Sequence, residues 1–244
     1  MDSSRASEHQ ASVKERIQSI DALRGLCVIL MVGHHFLYDL VAFLDAPQWL
    51  FYNPFFMILE PIFAGCFIIL AGVSSRFSRS NFKRGLRVLA AAFAVSIISF
   101  LIQMPIIFGI LHFLGVVMVL YGLTQNLWEK LPQQLLPGLY ILLIVVSSLL
   151  IKLVEVETHY LWIFGFTYPG FASADYFPLL PWVFVFLFGA WLGRPIQERR
   201  LPAWIYMKKP PFLPSVGRRA FIIYLLHQPI LYGITMLMRS LFAS

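Results

Sequence analysis

Apolar residues occur in seven long runs along the chain, separated by short polar segments. The runs cover residues 20–43, 55–74, 88–104, 106–124, 136–154, 179–193 and 220–241. Most approach the length of about 20 apolar residues that an α-helix needs to cross a hydrocarbon layer roughly 30 Å thick. A helix also satisfies its own backbone hydrogen bonds in lipid, where water cannot do so. The pattern therefore predicts an all-α, polytopic membrane helix bundle of about seven transmembrane helices.

Proline and polar residues divide these runs into helices and connections. Pro105 interrupts the continuous apolar stretch between the third and fourth runs, which predicts a tight helical hairpin there. The stretch 195–215 is rich in proline and basic residues and is interpreted as a linker. Residues 1–19 are predicted to be a polar cytoplasmic segment, and residues 20–244 a single transmembrane domain.

Charge adds an orientation to this picture. The chain has 59% hydrophobic and 13% charged residues, a composition that excludes an ordinary soluble domain. Its net charge is +7. Loops 44–54 and 155–178 contain no Lys or Arg, whereas the alternate connections are basic. The positive-inside rule then predicts a cytoplasmic N-terminus in a multi-pass protein of the plasma membrane. This topology explains the basic excess, so no nucleic-acid partner is expected.

The first run carries an unusual stripe of ionisable residues. At 100° per residue Asp21 and Asp39 point the same way, with Arg24 and His35 within about 60° of them, whereas His34 is rotated away. His35 and Asp39 are four residues apart, so the carboxylate is expected to accept a ring N–H and orient the imidazole. Ionisable groups inside a membrane are functional candidates. Interfacial placement of Arg24 is an equally good interpretation, whereas a catalytic role is favoured for the His35–Asp39 pair.

Other polar residues within or beside the runs extend the candidate site. His112 is a second catalytic candidate at a depth similar to that of His35, and His227 is placed on the cofactor side; either histidine could instead hydrogen-bond between helices. Glu60, Asp175 and Tyr176 are candidates for binding an acceptor on the same side as Asp39. For Asp175, a role as a turn residue before Pro178 is an equal alternative.

Basic and hydroxyl residues after the second run could bind the phosphates of a nucleotide-bearing cofactor. Together with Arg24 and His227, the cofactor-binding candidates are Ser74, Ser75, Arg76, Arg79, Lys83 and Arg84. Topology alone also explains basic residues at this position. No metal is expected, because the two cysteines lie in apolar runs and no Cys/His spacing fits a structural site.

Several of these segments together resemble a known family. The matching segments are RIQSIDALRGL (16–26), MVGHH (31–35), GVSSRFSRS (72–80), GILHFLG (109–115), SADYFPLLPW (173–182) and YLLHQP (224–229). In this order they are similar to the catalytic family of heparan-α-glucosaminide N-acetyltransferase, which includes short bacterial membrane proteins. The spacing from Arg24 to His35 also resembles that of the broader superfamily of transmembrane acyltransferases.

The resemblance implies that an acetyl group passes from cytosolic acetyl-CoA to an amine or hydroxyl, such as that of an amino sugar or glycan, on the opposite side. It implies that His35 is the catalytic residue and places Arg24 on the donor side. His35 could act as a base or carry the acyl group transiently. The expected partners are membrane lipid, acyl-CoA and a carbohydrate acceptor, and a homodimer remains open.

Two other functions compete with acyl transfer. A proton-coupled transporter could use Asp21, Arg24, His35 and Asp39 as a relay. Such carriers usually have two related halves with interrupted helices, and no internal repeat is visible. A non-catalytic membrane subunit would leave the Asp–His stripe unexplained.

Overall fold

The computed structural model describes residues 16–242, so most of the segment 1–19 lies outside the described residues. Within these residues there are eight α-helices: α1 (Gln18–Phe43), α2 (Pro54–Ser75), α3 (Asn81–Leu101), α4 (Ile110–Lys130), α5 (Leu136–Leu153), α6 (Leu179–Gln197), α7 (Phe212–Arg218) and α8 (Ala220–Phe242). All except α7 are long and apolar enough to cross a membrane. The described residues contain no β-strand, which confirms the all-α class. The seven helices of sufficient length and hydropathy confirm the predicted number of spans.

Local capping explains where two helices begin. Asn53 accepts a hydrogen bond from the N–H of Phe56, and Pro54 occupies the first turn of α2. Ser80 accepts from the N–H of Lys83 and starts α3 at residue 81. The predicted start at residue 88 was therefore too late, because the first two turns of α3 are amphipathic rather than uniformly apolar.

The connection between α3 and α4 is longer than a tight turn. It covers residues 102–109, and the Ser99 hydroxyl accepts the N–H of Ile106 across it. The two helices pack closely, because Gly85 and Gly115 bring the backbones together. The helical hairpin is confirmed, but α4 begins at Ile110 rather than at residue 106.

The linker predicted over residues 195–215 is only partly irregular. Its last residues form the start of α7, which packs against the first half of α1. A Cβ atom at Gly217 would overlap the backbone oxygen of Asp21, and one at Gly25 would overlap that of Leu213. The hydropathy pattern missed α7 because seven residues are too few to show a period.

Gly217→Ala is expected to lower the free energy of unfolding by about 1–3 kcal/mol, because the added methyl group forces α7 away from α1. Thermal unfolding in detergent micelles measures the effect. Gly233→Ala is the matched control, since a Cβ there meets nothing within 4 Å. Equal melting temperatures for the two variants would contradict this account of the packing.

The core lies between α2, α4 and α6. Ile68, Phe113, Val117 and Phe186 are almost completely buried there. Large apolar side chains such as Phe93 and Leu142 are exposed on the outer faces of α3 and α5. This is the distribution expected of a bundle surrounded by lipid rather than water.

Candidate active site

The larger of two main cavities opens among the ends of several helices and is rich in arginine. It has a volume of about 670 Å³, and its polar lining includes Ser74, Ser78, Arg16, Arg24, Arg84, Arg87 and Arg218. Its deeper walls are apolar and include Leu111, Leu114 and Met118 of α4. Such a cavity offers charge to phosphates at its mouth and an apolar channel beyond.

The charges in this arginine cavity are unequally compensated. The buried Asp21 accepts hydrogen bonds from Arg24 at 2.7 Å and from Arg16 at 2.5 Å, and Arg24 also donates to the Ser74 hydroxyl at 2.5 Å. Arg84 lines the same cavity beside Arg24, but its guanidinium makes no hydrogen bond or ion pair with any described residue. An uncompensated guanidinium facing a cavity favours the binding of an anion.

The smaller cavity contains the histidine singled out by the sequence. It has a volume of about 340 Å³, and its polar lining includes His34, His35, Glu60, Asp175 and Tyr176. Phe63 and Trp182 add aromatic surface. The structure therefore brings His35 together with all three predicted acceptor-binding residues.

A hydrogen-bond network fixes the protonation of His35. His227 Nδ1 lies 2.6 Å from the carbonyl oxygen of Tyr224, which can only accept, so this nitrogen carries the proton of the neutral ring. His227 Nε2 is then the acceptor for His35 Nδ1 at 2.8 Å. Gln228 Oε1 is a second acceptor for His35 Nδ1, at 3.2 Å. These tautomers are assigned from the network, and they leave His35 Nε2 with a free lone pair.

The expected direct hydrogen bond between His35 and Asp39 does not form, because Gln228 lies between them. Gln228 Nε2 donates to Asp39 Oδ1 at 2.9 Å, while its Oε1 accepts from His35. The other carboxylate oxygen of Asp39 is buried without a partner among the described residues. Asp39 can therefore orient His35 only through the side-chain amide of Gln228 on α8. The sequence analysis missed Gln228, although this residue directly follows His227.

Asp175 joins the loop before α6 to two helices. Its Oδ2 atom accepts the N–H of Ile110 at 3.0 Å and the hydroxyl of Tyr224 at 3.1 Å. Burial raises the pKa of the Asp175 carboxyl, whereas these two hydrogen bonds favour its ionised form. Burial also raises the pKa of Tyr176 to about 12. Asp175 therefore shapes the smaller cavity as well as lining it.

Asp175→Ala is expected to lower the free energy of unfolding by about 1–3 kcal/mol, because it leaves the N–H of Ile110 and the hydroxyl of Tyr224 unpaired. Asp175→Asn retains an acceptor oxygen and should lose less. Thermal unfolding of the purified protein separates the two variants. Equal losses would show that the hydrogen bonds to Asp175 do not stabilise the loop.

His34 and Glu60 occupy the smaller cavity in a way the helical projection did not indicate. His34 is buried against Phe51 and Phe63, although it was expected to point away from the stripe. Its Nε2 atom lies 3.8 Å from Glu60 Oε2, and the Glu60 side chain is 53% exposed. The basic side chain nearest to Glu60 is thus His34.

Three candidate residues line neither the cavity nor the surface at which the sequence analysis expected them to act. His112 lines neither main cavity and instead makes a 3.2 Å hydrogen bond to Ser96 of α3. Ser75 is buried and donates to the carbonyl oxygen of Gly72. His227 contacts His35 and does not line the arginine cavity.

The predicted basic segment separates into residues inside and outside the arginine cavity. Arg84 and Ser74 line it, whereas Arg79 and Lys83 do not. Arg76 faces another side of the bundle and pairs with Glu129 at 2.8 Å. One surface of the segment, rather than the whole segment, therefore faces the arginine cavity.

The ionisable stripe of α1 does not form a continuous relay. Asp21 and Arg24 interact at one end, and the network of His35, Gln228 and Asp39 lies at the other. Within residues 16–242, no hydrogen bond joins these two groups. The arrangement gives no specific support to a proton-coupled transporter.

The two cavities meet at a short wall. Phe67 of α2 and Tyr224 of α8 line both cavities. Ile110 and Leu111, adjacent in α4, line the smaller and the larger cavity, respectively. An arginine-rich pocket and a histidine-bearing pocket are therefore neighbours inside one bundle.

A family comparison covers all of these elements. The family model for heparan-alpha-glucosaminide N-acetyltransferase, catalytic, matches residues 16–229, from Arg16 of the arginine cavity to the residue after Gln228. Comparison with curated proteins and with solved structures yields no significant match. The chain belongs to the heparan-alpha-glucosaminide N-acetyltransferase catalytic family and is a multi-pass membrane protein of acetyltransferase type.

Proposed function

We propose that this protein transfers an acetyl group from cytosolic acetyl-CoA to an amine or hydroxyl on the other side of the plasma membrane, in an amino sugar or glycan. The observation that carries this proposal is the meeting of the two cavities at Phe67 and Tyr224. A donor in one cavity and an acceptor in the other can react there without either substrate crossing the membrane.

The donor side follows from the charge of the arginine cavity. Acetyl-CoA has several phosphates at one end and a thioester at the end of a flexible arm. Arg24, Arg84 and the exposed arginines at the cavity mouth would bind the phosphates, and the apolar walls would surround the arm. The orientation with this end in the cytoplasm is supported by the basic connections.

The acceptor side follows from the residues around His35. The partly exposed Glu60 carboxylate would attract a cationic acceptor, and Trp182 and Tyr176 offer aromatic faces of the kind that pack against sugar rings. The Tyr176 hydroxyl donates its proton to the carbonyl oxygen of Trp162, so towards an acceptor it offers its ring face and the lone pairs of its oxygen.

His35 is proposed as the general base. Its Nε2 atom takes a proton from the acceptor amine or hydroxyl as the acceptor attacks the thioester carbonyl carbon. The new C–N or C–O bond forms, the C–S bond breaks, and the proton passes to the departing thiolate to give free CoA. His227 and Gln228 hold the other ring nitrogen, so the reactive nitrogen keeps its direction.

The experiment uses the full chain in proteoliposomes, with isotopically labelled acetyl-CoA on one side and glucosamine on the other. Acetylated acceptor, detected by mass spectrometry, is expected only when the donor faces the basic connections. Protein-free liposomes are the control. Absence of acetyl transfer from either side to glucosamine and to mixed envelope glycans would contradict the proposal.

A further inference from the structure

One face of α2 lines both cavities in succession. Ala64 lines the smaller cavity, Phe67 lines both, and Ala71 lines the larger one. These residues are three and four positions apart, so their side chains follow one another along a single helical face. The face thus places a large ring between two methyl groups at the point where the cavities meet.

The opposite side of this junction is held in place. Tyr224 is the other described residue that lines both cavities. Its hydroxyl donates a hydrogen bond to Asp175, which also accepts the N–H of Ile110. Phe67 has no polar group and packs as a partly buried side chain against the apolar core. Of the two side chains that line both cavities, Phe67 is therefore the one that no hydrogen bond holds in place.

The proposed reaction requires the thioester to reach the wall between the two cavities. His35 lines the smaller cavity but not the larger one, so an acyl carbonyl coming from the arginine cavity must be presented at the wall to be attacked. The rest of the acyl chain then has to fit beside Phe67 or enter the 340 Å³ that the acceptor also needs.

We infer that Phe67 sets the acyl-chain length that the enzyme accepts, by leaving room for a methyl group and obstructing longer chains. This inference rests on the proposed function. In a hydrophobic site, a single methylene group changes specificity by about 10- to 200-fold. A change in the volume of this side chain should therefore have a measurable effect.

Phe67→Ala tests the inference through kcat/KM for acetyl-CoA and butyryl-CoA with the same acceptor. The wild-type protein should prefer acetyl-CoA, and the variant should lower the acetyl-to-butyryl ratio at least about tenfold. Phe67→Leu, a smaller change, should give an intermediate ratio and provides the test if the alanine variant does not fold.

Phe221→Ala is the matched control, because Phe221 lines the arginine cavity but not the smaller one. It should keep the wild-type ratio, whatever its effect on the KM of either donor. An unchanged ratio in the Phe67 variants, or an equal change in the Phe221 variant, would overturn the inference while leaving acetyl transfer intact. Lack of transfer by wild-type protein from both donors would instead contradict the proposed function.

Discussion

His35→Ala is expected to reduce acetyl transfer by at least about 100-fold, the lower range of what a general base contributes. The variant removes the nitrogen whose lone pair the network with His227 and Gln228 keeps free. The kcat at saturating acetyl-CoA and acceptor measures the loss. Stabilisation of the variant by acetyl-CoA should persist, because His35 does not line the arginine cavity.

His112→Gln is the control for this prediction. His112 lines neither cavity, and a glutamine amide can still donate to Ser96. We expect this variant to keep most of the activity. Comparable losses of kcat in the His35 and His112 variants, with both proteins folded, would contradict the role given to His35.

The sequence predicts the spans well because lipid imposes a simple condition on every segment that crosses it. About 20 consecutive apolar residues are needed regardless of what the helix packs against, so the seven runs are visible locally. The short α7 has no such requirement. Its position depends on the close approach of Gly217 to Asp21, which no periodicity reveals.

The site is predicted less completely, because its defining contacts join distant helices. A helical projection places His35 and Asp39 on one face, but the amide that joins them comes from α8. The projection also placed His34 away from the ionisable stripe of α1, yet the packing of α2 against α1 brings Glu60 to it. Spacing within one helix cannot show what a neighbouring helix contributes.

The basic segment after α2 illustrates the same limit. Arg79, Lys83 and Arg84 are equivalent by composition, and positive-inside topology explains all three. The structure distinguishes them, because Arg84 lines the arginine cavity and the other two do not. This difference allows the role of charge inside the cavity to be separated from the role of charge on the membrane surface.

Arg84→Gln is expected to raise the KM for acetyl-CoA by about 10- to 100-fold, with a smaller change in kcat. A hydrogen bond to a charged group contributes about 1.5–3 kcal/mol, and each 1.4 kcal/mol corresponds to a tenfold change in affinity. Initial rates across a range of acetyl-CoA concentrations measure the effect. Arg79→Gln and Lys83→Gln remove the same charge from the same segment outside the cavity, and their KM values should stay within about threefold of wild type at moderate ionic strength.

Arg84→Gln is expected to weaken acetyl-CoA binding but not to destabilise the protein in the absence of acetyl-CoA. Arg84 has no compensating partner among the described residues and lies beside Arg24, so its removal should leave the melting temperature unchanged or raise it. Acetyl-CoA at a fixed concentration should then stabilise the wild-type protein more than the variant, because stabilisation by a ligand grows with its affinity. A variant that is less stable without donor but equally stabilised by it would show that Arg84 supports the fold rather than binding phosphate.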